Sequence, residues 1–200
     1  HWGFALSTGG ALVIALATDD DSPLFMWHMP LGLAAGFFLV LRLLLAMFGS
    51  RPNRLRALLF SPGETLRYLA RMVRRGESPY PHHNPGSAVF SWLMFILLPL
   101  LIWTGLGGEG GEDLHGGLAY AFLAAVGAHL AGLLLHTLRH REPIALAMLH
   151  GRKQVPAGIS AITSHRWGGL AAALIALAWT VQLFRQFDPV RGHVRLPVID

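Results

Sequence analysis

The chain has 200 residues, 53% hydrophobic and only 14% charged, with a mean hydropathy of +0.47. Soluble domains carry roughly a quarter charged residues, so an ordinary soluble fold is excluded and an all-α integral membrane bundle is indicated, with room for four or five spans of about 20 residues. The 16 Lys and Arg and the formal charge of +5 would suggest nucleic acid in a soluble protein; here they report topology, and no nucleic-acid partner is expected.

In chain order, the first apolar run, Trp2 to Ala17, is stopped by Thr18-Asp19-Asp20-Asp21-Ser22-Pro23, three acids and a proline. The chain opens without methionine at the head of this run, so residues upstream of His1 are expected. A second helix is predicted from about Leu24 to Phe48, closed by Gly49-Ser50-Arg51-Pro52 with Arg42 as its interior charge. Ser61-Pro62-Gly63-Glu64 reads as a capping box with proline at the first helical position. It opens an amphipathic helix at about 61–75, with Leu66, Leu69 and Val73 opposing Arg67, Arg71 and Arg74, suited to lying on anionic headgroups. A third span covers about Ala88 to Leu106 with Pro99 inside, a kink that membrane helices tolerate. A fourth runs from about Leu114 to Leu138, and an alanine-rich fifth from Trp167 to Phe184. The organisation expected is a four-helix core over 1–155, then a fifth transmembrane helix and tail over 156–200.

Loop charge orients the bundle. The loops after the first and third spans hold only acids, Asp19, Asp20, Asp21 and Glu109, Glu112, Asp113, and are expected outside. The segment 49–86 and the segment after the fourth span are arginine-rich and are expected in the cytoplasm, with the N-terminus also inside. The tail arginines 185, 191 and 195 fit this rule poorly.

With no cysteine in the chain, disulfides, cysteine-ligated iron–sulfur clusters and thioether-linked haem are excluded. Eleven histidines remain, and ionisable residues within apolar spans mark functional sites by default. His115 and His129 lie fourteen residues apart, about 40° short of four full turns and roughly 21 Å along the axis. One helix thus presents an imidazole on the same face at each of two depths. Helix direction puts His28 level with His115 near the outer surface, and His1 level with His129 near the inner one. Two facing imidazole pairs are the ligand set of bis-histidine b-type haem. Zinc is disfavoured, since the pairs are about 20 Å apart and no span carries an acid. Gly32 and Gly36 follow His28 on successive turns and would clear a slot for a flat macrocycle; Gly127 and Gly132 offer similar relief. Small residues also permit close packing of bare helices. Arg42, fourteen residues after His28, is placed to meet a haem propionate or to snorkel to the interface. The remaining histidines of the second half, His136, His140, His150, His165 and His193, read as interfacial.

The His1-Trp2 opening, the stretch His28-Met29-Pro30-Leu31-Gly32 leading to Arg42, the segment His82-His83-Asn84-Pro85-Gly86 and the His115 to His129 spacing together resemble bacterial di-haem cytochromes of the cytochrome b561 superfamily. That superfamily includes the cytochrome b subunits of nickel–iron hydrogenases and the gamma subunits of formate dehydrogenases. The likeness covers about residues 1 to 155. It implies a protein of the bacterial inner membrane with two non-covalent b haems on His1, His28, His115 and His129. Such a protein carries electrons between the quinone pool and a periplasmic partner such as a cytochrome c or a dehydrogenase or hydrogenase subunit. It also implies that Asn84 matches an asparagine that contacts quinone, where the residues alone read as a turn leading into a helix. A self-sufficient quinol oxidase reducing superoxide or oxygen is the alternative; a haem or cation transporter is a third reading, disfavoured by the lack of intramembrane carboxylates. The fifth helix departs from the four-helix pattern.

Overall fold

A computed structural model describes residues 1–49, 54–73, 84–107, 111–140, 166–188 and 193–194. Its helices are α1 (Trp2–Ala17), α2 (His28–Phe48), α3 (Pro62–Val73), α4 (Pro85–Leu106), α5 (Glu112–His140) and α6 (Arg166–Gln186), with short 3-10 turns at Phe25–Trp27 and Leu55–Leu58. Strands β1 (Phe187–Asp188) and β2 (His193–Val194) pair antiparallel after α6, a hairpin that the hydrophobic runs did not announce.

Among the described residues, four helical segments are long and apolar enough to cross a membrane: Phe25–Phe48, Pro85–Leu106, Glu112–Leu138 and Trp167–Gln186. Each begins and ends within a few residues of the predicted span, because apolar runs this long admit only a helix in lipid. The fifth predicted span is thus a helix of 21 residues. The α1 helix is apolar over its 16 described residues.

The chain divides into two compact units. The first comprises His1–Leu44, Leu98–Ala119 and Thr163–Asp200. In it α1 and α2 run antiparallel at close range: the Phe38 ring lies over Gly3 and Leu31 over Gly10. The buried hydroxyls of Ser7 and Thr8 donate to the carbonyls of Gly3 at 2.7 Å and Phe4 at 2.8 Å, so these polar groups are satisfied within their own helix. The α6 helix joins through aromatic packing. Trp179 stacks on Phe37 with ring centres 4.1 Å apart, and Trp27 meets Phe184 and Phe187 at 5.9 and 5.2 Å. Ala172, Ala176 and Thr180 share this more covered side of α6, while Ala171, Leu174, Leu177 and Ala178 are exposed, so a small-residue stripe lets the indoles approach.

The second unit comprises Leu45–Leu97 and Tyr120–Ile162. The capping box at α3 forms as predicted: Glu64 N–H donates to Ser61 Oγ at 3.2 Å and Ser61 N–H to the Glu64 carboxylate at 2.9 Å. Tyr68 is buried against Gly86, while Leu66 and Leu69 are exposed. The preceding turn is tied to α4 by Trp92 Nε1–H, which donates to the Leu58 carbonyl at 3.2 Å. The Ser61 amide holds the Glu64 carboxyl below its usual value of 4.5. A depressed carboxyl contributes stability above the unfolded-state value and loses it as pH falls through the folded one. Protection of the first-turn amides of α3, taken relative to their intrinsic exchange rates, is therefore expected to fall at acid pH, and in Glu64→Gln to lose that pH dependence.

Candidate haem site

The best-defined constellation lies in the first unit, where the start of α2 faces the start of α5. The His28 and His115 rings are 6.0 Å apart, centre to centre, with planes 80° apart. Each ring is anchored through one nitrogen. His28 Nδ1 is 2.9 Å from the Ala11 carbonyl of α1, and His115 Nδ1 is 3.0 Å from the Leu101 carbonyl of α4. A carbonyl can only accept, so both Nδ1 atoms carry hydrogen and each Nε2 keeps its lone pair for a metal. Phe25 stacks on His28 at 5.4 Å, nearly parallel.

This geometry suits an iron held by two imidazoles. Two metal–imidazole bonds of about 2 Å, plus roughly 1 Å from each nitrogen to its ring centre, sum to about 6 Å. Gly32, one turn beyond His28, faces open space, whereas at Gly36 the relief is occupied by the Ile102 side chain. The predicted slot is thus open at the first glycine and closed at the second by packing of α2 on α4. Gly127 and Gly132 also face open space.

His129 lies in the second unit on α5, with Phe90 of α4 stacked on it at 4.0 Å. His1 caps α1 in the first unit without a side-chain cap, and its ring meets Trp2 edge-on at 5.6 Å. The two fall in different units, so their pairing rests on helix direction and depth. Arg42 is half-buried within α2. Asn84 caps α4: its Oδ1 accepts the Ser87 N–H at 2.8 Å, and Asn84 N–H donates to Ser87 Oγ at 3.2 Å, with Pro85 at the first helical position. The neighbouring His82 and His83 lie outside the described residues.

Three residues that matter here were not singled out from the sequence. Thr104 and Gly105 touch His115 directly. His136, read as interfacial, lies within α5 and is buried. It is seven residues beyond His129, about 20° short of two turns, a spacing that could have placed it on the face shared by His115 and His129.

Two imidazoles 6.0 Å apart on apolar, membrane-length helices are an arrangement that suits a membrane haem protein. The family model of prokaryotic cytochrome b561 matches residues 1–151, and the chain belongs to that family. It is accordingly a multi-pass membrane protein of a family that transfers electrons across the membrane by haem b. The α6 helix lies beyond the matched residues. No curated protein and no solved structure matched the chain.

Proposed function

We propose that the protein carries electrons through two non-covalent b haems between membrane quinone and a periplasmic redox protein, in the bacterial inner membrane with its N-terminus in the cytoplasm. The observation that carries this reading is the His28–His115 pair, 6.0 Å apart with both Nδ1 atoms tied to carbonyls. His28 and His115 hold the outer haem, and His1 and His129 the inner one. A haem bound in this way supplies a one-electron couple. The protein's work is to hold each imidazole in one tautomer, fix the spacing along α5 and keep water from the apolar interior. Gly32 gives room for the outer macrocycle and Gly36 for close packing of α4 beside it. Arg42, inside an otherwise apolar span, meets a propionate on the inner side.

Quinone binds on the inner side near Asn84. With Oδ1 engaged as the helix cap, the side chain offers its amide hydrogens to a quinone carbonyl. The test is the purified chain in liposomes. Pyridine haemochrome assay should give two haems per chain, extractable by acid acetone, and added quinol should reduce both. One haem or none would overturn the proposal, and steady oxygen or superoxide consumption by the single chain would favour the quinol oxidase reading.

The partner docks over the outer haem through Asp19, Asp20 and Asp21 and the 109–113 loop. The three aspartates, Glu112 and Asp113 are exposed, and the two acidic segments flank the helix ends that carry His28 and His115. Acids so placed raise the on-rate of a basic partner, an effect that fades as salt shortens the Debye length. Neutralising all six is expected to slow partner electron transfer by about tenfold or more at low salt and little at high salt. A rate indifferent to both salt and these substitutions would move docking elsewhere.

A further inference from the structure

The two imidazoles of the outer pair are not held alike. His28 gives its Nδ1–H to one acceptor, the Ala11 carbonyl at 2.9 Å. His115 Nδ1 has two neighbours, the Leu101 carbonyl at 3.0 Å and Thr104 Oγ1 at 3.2 Å. The Thr104 hydroxyl has a single hydrogen, and its shortest acceptor is the Leu100 carbonyl at 2.8 Å. With the hydrogen spent there, Oγ1 turns lone pairs toward His115, and the imidazole N–H is shared between a carbonyl and a hydroxyl.

The next residue makes that approach possible. A Cβ at Gly105 would stand 3.1 Å from His115 Cε1 and 3.3 Å from Nδ1, tight enough that the ring would have to give by a few tenths of an ångström. Thr104 is only 7% exposed, so water does not compete for its oxygen. Leu101, Thr104 and Gly105 thus form a cradle on α4 for the ligand on α5.

We infer that Thr104, with Gly105 admitting the ring beside it, is a positioning residue that lowers the reduction potential of the haem held by His28 and His115. The inference rests on the haem reading above. Acceptors on Nδ1–H draw the imidazole toward imidazolate, which makes Nε2 a stronger donor and favours the ferric state. Removing the hydroxyl leaves one acceptor and raises the potential.

The experiment uses the detergent-purified haem-loaded protein with Thr104→Val, which keeps the branched shape without the hydroxyl, and Thr104→Ser, which keeps the hydroxyl. Haem content, the midpoint of each haem by redox titration and the electron paramagnetic resonance of the ferric forms are measured. In Thr104→Val both haems should remain, with one midpoint raised. The rise should equal roughly a threefold to tenfold gain in the reduced-to-oxidised ratio, tenfold being about 59 mV for a one-electron couple. The other midpoint should stay, and Thr104→Ser should restore the native value. Loss of one haem in Thr104→Val with native midpoints in Thr104→Ser would also support the inference. Midpoints and resonances unchanged in Thr104→Val would overturn it, as would loss of that haem from both variants, which marks a packing role. A native chain that binds no haem would overturn the haem reading itself.

Discussion

Replacing His115 with alanine is expected to halve the haem content, from two per chain to one, and replacing His129 to remove the other haem instead. The α5 helix carries both histidines fourteen residues apart, roughly 21 Å along one continuous helix, so the sites can be lost separately. Removal of one axial imidazole leaves the opposite one as sole protein ligand, and loss of ligation energy on this scale empties a non-covalent site. The decisive comparison is His28→Ala. Its ring faces His115 across 6.0 Å, so the two variants should lack the same haem and leave the same residual spectrum and midpoint. His1→Ala should likewise reproduce His129→Ala. If His28→Ala and His115→Ala affected different haems, the pairing by depth would be wrong.

Asn84→Asp should slow reduction of the haems by quinol about tenfold or more while leaving haem content and helix stability intact. The aspartate retains the oxygen that accepts the Ser87 N–H at 2.8 Å and adds a negative charge that favours a helix N-terminus. What it lacks is the amide donor for a quinone carbonyl, a loss of about 1.4 kcal/mol for a tenfold change. Asn84→Ala loses both functions and should be slowed as much, with a capping cost of about 1 kcal/mol in addition. Native quinol kinetics in Asn84→Asp, measured beside a destabilised Asn84→Ala, would reduce Asn84 to a cap.

Helix limits and depths were legible in the amino-acid order because they depend on residue number alone. An apolar run between Asp21 and Arg51 must be helical in lipid, and its rise per residue fixes how deep His28 sits. Chain direction then puts His28 level with His115, and the two rings do lie together. The capping boxes at Ser61 and Asn84 are equally local, set within four residues.

What only the tertiary structure decided is the rotation of each helix against its neighbours, which follows from packing across the bundle and has no trace in spacing. Gly32 and Gly36 look equivalent along α2, yet Ile102 of α4 fills the space at Gly36 and leaves Gly32 open. Phe37 and Trp179 are 142 positions apart, and their stacking is what attaches α6 to α2. Thr104 in an apolar helix can always bond its own backbone, so its contact with His115 could not be foreseen. His136 sits near a helix end by number and is buried by its surroundings. Depth is a one-dimensional property that the chain encodes directly; facing is a property of pairs, settled only when side chains from different helices compete for the same volume.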